Sequence, residues 1–193
     1  MNLRPVMTIF LISTLLIFTG CAYRLSNKVD SLPGAVKSIF VPVFKNLSPE
    51  PGVEVFFTDS MKSEILRSGY ATILNSEQES DAVLVGTIKT VDFWTDESII
   101  EAKSTSYLPT GTVLSSQVKV TVSVSVSLRR KLSNETLWSS DFTQTRNYVP
   151  PQVTLPVLNT ANNLYNQTAK RQTLSVLSSE MMQLAFDRLV DNF

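Results

Sequence analysis

The sequence contains no histidine, and its only cysteine is Cys21. Without histidine there can be no Ser-His-Asp triad, no Cys-His dyad and no zinc site built from histidine and cysteine. A lone cysteine closes no disulfide within the chain. The six glycines, Gly20, Gly34, Gly52, Gly69, Gly86 and Gly111, stand singly. That is the distribution of turn and cap residues rather than of a phosphate-cradling loop. An excess of either charge is also missing: 17 Lys and Arg face 17 Asp and Glu. A broadly basic nucleic-acid surface is therefore not indicated, and no nucleic-acid partner is expected. Carboxylates are present, but no spacing singles out a catalytic pair, so they read as solvated surface charge. The chain is expected not to be an enzyme, and to hold no metal and no dissociable cofactor.

Nor is there an apolar run of the roughly 20 residues that a spanning helix requires. The longest, Val6–Phe18, is shorter and is interrupted by Thr8, Ser13 and Thr14. It follows a single positive charge, Arg4, and precedes the small residues Thr19 and Gly20. A charged start, a short apolar core and a small-residue cleavage site define a secretory signal, here Met1–Gly20. Phe18-Thr19-Gly20-Cys21 resembles the bacterial lipobox, with phenylalanine where leucine is usual. The resemblance implies cleavage before Cys21 and acylation of its thiol and new amino group, palmitate among the chains. A single acyl chain binds a membrane only marginally, and stable anchoring needs a second; a multiply acylated Cys21 meets that requirement. Ala22, where an aspartate would retain such a protein in the inner membrane, reads as an outer-membrane address.

Beyond the lipid site, residues 21–34 read as a tether and 35–193 as a single domain. Lys37–Phe44 reads as a strand in which Ile39, Val41 and Val43 alternate with Ser38, Phe40, Pro42 and Phe44; Pro42 marks an edge or a bulge. Asn46–Gly52 is a turn-rich loop. Val53–Ser68 reads as a helix, with Val53, Phe57, Met61 and Ile65 stepping by four toward a core and Gly69 as its C-terminal cap. Ala82–Phe93 is a strand, with Ala71–Leu74 as a short approach strand, and Thr95–Ser116 is a looser polar stretch. The clearest signal lies just beyond that stretch. Val118, Val120, Val122, Val124, Val126 and Leu128 alternate with Lys119, Thr121, Ser123, Ser125 and Ser127, which predicts one buried and one wet face. Thr136–Tyr148 returns as the second strand of a hairpin whose tip carries Arg129, Arg130 and Lys131. Asn159 or Thr160 can cap a last helix reaching about Val190, with Leu174, Leu177, Met181 and Leu184 as its apolar stripe, Phe186 and Leu189 adjoining, and a polar first half. The predicted fold is α+β: a two-layer sandwich of an about four-stranded, mostly antiparallel or mixed sheet with two helices packed on one face.

The segments Cys21-Ala22-Tyr23-Arg24-Leu25, Leu32-Pro33-Gly34, Ile39–Asn46, Glu50–Glu54 and Asp81–Ile88, followed by the long hairpin and the terminal helix, together resemble the LptE lipopolysaccharide-assembly lipoproteins. The resemblance implies a non-enzymatic outer-membrane lipoprotein, lipid-anchored on the periplasmic face. It would plug and help assemble a partner β-barrel, LptD, and contact lipopolysaccharide on its way to the outer leaflet. A wet Ser/Thr sheet face is compatible with a hydrated barrel lumen, and equally with open water. Lipopolysaccharide carries phosphates, so Arg129, Arg130 and Lys131 are the candidate glycolipid contacts; the alternative is a solvated turn that keeps the tip soluble. The basic positions linked to glycolipid in the family find no counterpart here. Two rival resemblances stand beside this one. The segment from Ile39 through the first helix also resembles CsgG-like and TolB-like lipoproteins, and a LolB-like lipid carrier would be a second alternative, needing a many-stranded half-barrel.

Overall fold

The computed structural model describes residues 32–95, 99–101, 113–115, 117–149 and 163–191. Met1–Gly20, Cys21, Ala22 and the capping residues Asn159 and Thr160 lie outside the described residues. The elements are β1 (Ser38–Phe40), β2 (Lys45–Asn46), α1 (Val53–Ser68), β3 (Thr72–Leu74), β4 (Ala82–Thr95), β5 (Ile99–Glu101), β6 (Val113–Ser115), β7 (Val118–Arg130), β8 (Thr136–Tyr148) and α2 (Asn163–Asp191).

Six strands form the main sheet, in the order β3-β1-β4-β7-β8, with β2 also paired to β4. The pairings of β1 with β3 and of β1 and β2 with β4 are parallel; β4–β7 and β7–β8 are antiparallel. The helices α1 and α2 pack on each other, and α2 also packs on β8. The α+β sandwich with a mixed sheet is as expected. The strand number exceeds the expected four or so for a local reason: the stretch Lys37–Phe44 does not run as one strand. Between Phe40, opposite Val83, and Lys45, opposite Thr87, it holds one residue more than its partner. Pro42, which has no N–H to donate, lies in this bulge. The extra residue reverses the facing of the residues after it. Ile39 and Val41 are buried, but Val43 is 64% exposed and Phe44 takes the inward position. Off the ladder, the Phe44 N–H donates instead to the Thr58 hydroxyl of α1 at 3.0 Å. The Phe44 ring lies over Gly86, where a Cβ would stand 2.1 Å from ring carbons. Glycine is therefore required at this crossing for close approach.

The core is the space between the sheet and the helices. From β7 come Val120, Val122, Val124, Val126 and Leu128, all fully buried, and from α1 come Val53, Phe57, Met61 and Ile65. α1 ends as its sequence requires: Gly69 adopts φ 70° and its N–H donates to the Ile65 carbonyl at 3.2 Å. In α2, Leu174, Leu177, Met181, Phe186 and Leu189 are buried. Leu184 is not: it is 43% exposed, and Ala185, one position on, is fully buried. The helix repeat of 3.6 moves the stripe from Met181 to Ala185 rather than to Leu184. The polar first half of α2 is tied down by Lys170, whose Nζ lies 2.5 Å from Glu50 Oε2 and 4.2 Å from the centre of the Phe93 ring.

Two further expectations are adjusted. The last residues of the supposed tether belong to the body, since Leu32 and Pro33 are buried and Leu32 bridges to Val36. The stretch Thr95–Ser116 is not wholly irregular, because β5 and β6 pair antiparallel within it.

Candidate functional site

Among the described residues the helices pack on one face, and the opposite face of β4, β7 and β8 is left open. Residues directly opposite one another on paired strands share a face, so the ladder register fixes its rows. Val85, Ser127 and Ser139 form one row; Thr87, Ser125 and Asp141 the next; then Thr90, Ser123 and Thr143; then Asp92, Thr121 and Thr145; and last Trp94, Lys119 and Asn147. Hydroxyls pair across strands, Ser123 with Thr143 at 2.9 Å and Thr121 with Thr145 at 3.1 Å. Lys89 Nζ donates to Asp141 Oδ1 at 2.8 Å, and this bond, joined by one from Ser125, holds the Asp141 carboxyl below its ordinary pKa. The face is thus largely polar and bonded to itself.

A bulge sets which residues of β4 lie on it. Ile88 faces Val124 and Thr90 faces Ser123, so Lys89 is an extra residue. Were Lys89 paired in register instead of bulged, Val91 would turn outward. With the bulge Val91 stays buried, and Asp92 and Trp94 are delivered to the open face. Trp94 is 64% exposed.

The three candidate cations sit at the other end of the same sheet, where β7 turns toward β8, and each has a different setting. Arg130 donates from Nη2 to the Gly34 carbonyl at 3.1 Å, and its backbone N–H donates to the Glu135 carbonyl at 2.8 Å. Lys131 donates through Nζ to the Gln78 carbonyl and through its backbone N–H to the Asp81 carbonyl. These two side chains fasten the hairpin tip to the N-terminal segment and to the turn Glu77–Glu79. Arg129 lies opposite Val83 on the open face, and its side chain makes no hydrogen bond or ion pair among the described residues. A cleft of about 460 Å³ opens beside the tip, lined among others by Lys37, Gln78, Asp81, Arg130, Lys131 and the tip residue Leu132, which is 94% exposed.

Asp81 is the residue that sequence reasoning missed. It appeared only as the first residue of a strand motif, yet it joins the starts of β1 and β4. Its Oδ2 accepts from the Ser38 hydroxyl at 2.8 Å, the Ser38 N–H at 2.9 Å and the Lys37 N–H at 3.2 Å. These hydrogen bonds, the Ser38 hydroxyl first, hold its carboxyl below the ordinary aspartate pKa, with Arg130 adding a smaller pull. The signal was faint: an aspartate placed just before a strand, with Ser38 near the start of the strand beside it. The Asp81 carboxylate and the tethered Arg130 and Lys131 make this end a polar seam between the hairpin tip and the starts of β1 and β4. Among the described residues no group of acidic or sulfur side chains has a metal-binding arrangement, and no helix is long and apolar enough to cross a membrane.

A family model described as LptE, lipopolysaccharide-assembly, matches residues 36–193. Among proteins of curated function, none matches. Several solved structures are similar. The PelC dodecamer from Paraburkholderia phytofirmans is 14% identical, covers 79% of this chain and 88% of its own, and superposes with a TM-score of 0.48. Lipoprotein GNA1162 from Neisseria meningitidis is 15% identical, with coverages of 74% and 99% and a TM-score of 0.42. A minor lipoprotein from Acinetobacter baumannii is 11% identical, with coverages of 81% and 92% and a TM-score of 0.42.

Proposed function

Because the chain belongs to the LptE lipopolysaccharide-assembly family, we propose that it is an outer-membrane lipoprotein, acylated at Cys21 and facing the periplasm, that forms a complex with an LptD-like β-barrel, assists its assembly and plugs it while lipopolysaccharide passes to the outer leaflet. The observation that carries the reading is the family match over nearly the whole described domain. The open sheet face supports it. A plug in a hydrated lumen has to meet a wall of polar side chains, and the four rows from Val85 to Thr145, all Ser, Thr and Asp but for Val85, form a surface able to exchange hydrogen bonds with water for hydrogen bonds with such a wall. The role asks for positioning rather than bond-making.

At the hairpin tip, Arg129, Arg130 and Lys131 are the proposed contacts for the glycolipid phosphates. Arg129 is the one expected to respond most specifically, since Arg130 and Lys131 also hold the tip in place.

Depletion of the protein tests the function. The expected result is loss of surface lipopolysaccharide together with accumulation of misassembled barrel. Normal surface lipopolysaccharide after complete depletion would overturn the assignment.

A further inference from the structure

The far end of the open face, opposite to the cationic tip, carries a group that the plug role does not use. Trp94, Lys119 and Asn147 lie in register across β4, β7 and β8. All three are exposed, Trp94 by 64%. Lys119 makes no ion pair among the described residues. Asn147 spends its amide on Gln117 Oε1 at 3.5 Å, leaving its carbonyl oxygen to accept. The next row supplies the Asp92 carboxylate and the paired hydroxyls of Thr121 and Thr145.

Each part has a defined preference. An exposed indole presents a large flat apolar plate with a polar edge. The side chains in its own row and the next, Lys119, Asn147, Asp92, Thr121 and Thr145, are polar, which sets it apart from an anchor for a protein partner, where aromatics sit in packed apolar pockets. An aromatic plate beside a cation, a carboxylate, an amide and two hydroxyls is complementary to an acidic sugar. The C–H face of the pyranose lies on Trp94, its acidic group pairs with Lys119, and its hydroxyls bond to Asn147, Asp92 and the threonines. We propose that the row Trp94–Lys119–Asn147 binds the anionic oligosaccharide portion of lipopolysaccharide. The choice of glycan rests on the family reading above; the site itself does not depend on the barrel.

The chain's two tryptophans make the test direct. Trp138 is buried, 5% exposed, against Phe142, so the solvent-exposed part of the emission comes from Trp94. The full chain is titrated with the lipid-free oligosaccharide released from purified lipopolysaccharide, with a neutral dextran oligosaccharide as control. The site predicts a saturable change in the Trp94 emission with the anionic oligosaccharide and none with dextran. By calorimetry, Trp94→Ala weakens binding about tenfold or more and Lys119→Gln roughly fivefold; the exposure of both side chains leaves the fold intact, which circular dichroism checks. No saturable signal up to about 10 mM, a concentration that still detects very weak sites, overturns the proposal. So does unchanged oligosaccharide binding by Trp94→Ala, including the case where that variant instead loses a co-purifying barrel. Oligosaccharide binding by a chain with which no barrel co-purifies leaves the site standing and removes the plug reading.

Discussion

β7 carries two surfaces on one backbone. On its inner side Val120, Val122, Val124, Val126 and Leu128 are fully buried; on its outer side Thr121, Ser123, Ser125 and Ser127 are half-exposed, and the first three bond to Thr145, Thr143 and Asp141 of β8. The inner side stabilises the fold in proportion to the apolar area it removes from water. Each hydroxyl bond on the outer side replaces one made to water, so its net contribution is small. The same strand is thus stability-critical on one face and nearly silent on the other. A silent face is free to be shaped for contact, and that is where the proposed partner surface and the proposed saccharide row lie.

The largest expected break in this contrast is on the inner side. Phe57, fully buried between α1 and the sheet, leaves a cavity when replaced by alanine. Phe57→Ala should cost about 3–5 kcal/mol and lower the melting temperature by on the order of 10 °C, measured by calorimetry or thermal circular dichroism. A matched pair on adjacent residues of β7 sharpens the comparison. Val124→Ser buries a hydroxyl and removes methyl groups, costing about 2–4 kcal/mol. Ser123→Val, one residue away, should stay within about 0.5 kcal/mol in urea unfolding, while reducing retention of the partner barrel. Equal losses from the two would break the two-face account. A smaller loss than those of the inner side lies at the seam. Asp81→Ala should lower stability by about 1 kcal/mol near neutral pH, its charge-assisted bonds being discounted for exposure. Since the folded-state pKa of Asp81 is depressed, its contribution is present above the unfolded value of about 4 and is lost as the pH falls through the folded value. The difference between variant and parent should therefore close on acidification below about pH 4, followed by chemical unfolding at a series of pH values.

Sequence reasoning succeeded where the period ran unbroken. The uninterrupted alternation from Val118 to Leu128 located the buried and the wet face, and the four-step stripe of α1 with Gly69 behind it located that helix end to end. It failed where one extra residue shifts the phase. The bulge at Pro42 sends Val43 outward and Phe44 inward, against the alternation expected from Ile39. The bulge at Lys89 does the same in β4: parity counted from Leu84 would hide Trp94, and the inserted residue exposes it. A bulge is set by pairing with strands distant in the sequence, so local pattern carries little of it. The same holds for the seam, where Asp81 and Ser38 meet although 43 positions separate them. The cations of the tip were legible as a cluster, but their division into two tethered groups and one open Arg129 depends on where the N-terminal segment and the turn Glu77–Glu79 come to rest.

The central claim is that the open face of this domain meets a barrel partner. Purification of the protein from membranes in mild detergent, with the stoichiometry of the complex measured, tests it most directly. The account predicts a one-to-one complex with a large outer-membrane β-barrel, lost or weakened on Ser123→Val. A homo-oligomeric ring of this chain with no barrel attached would contradict it.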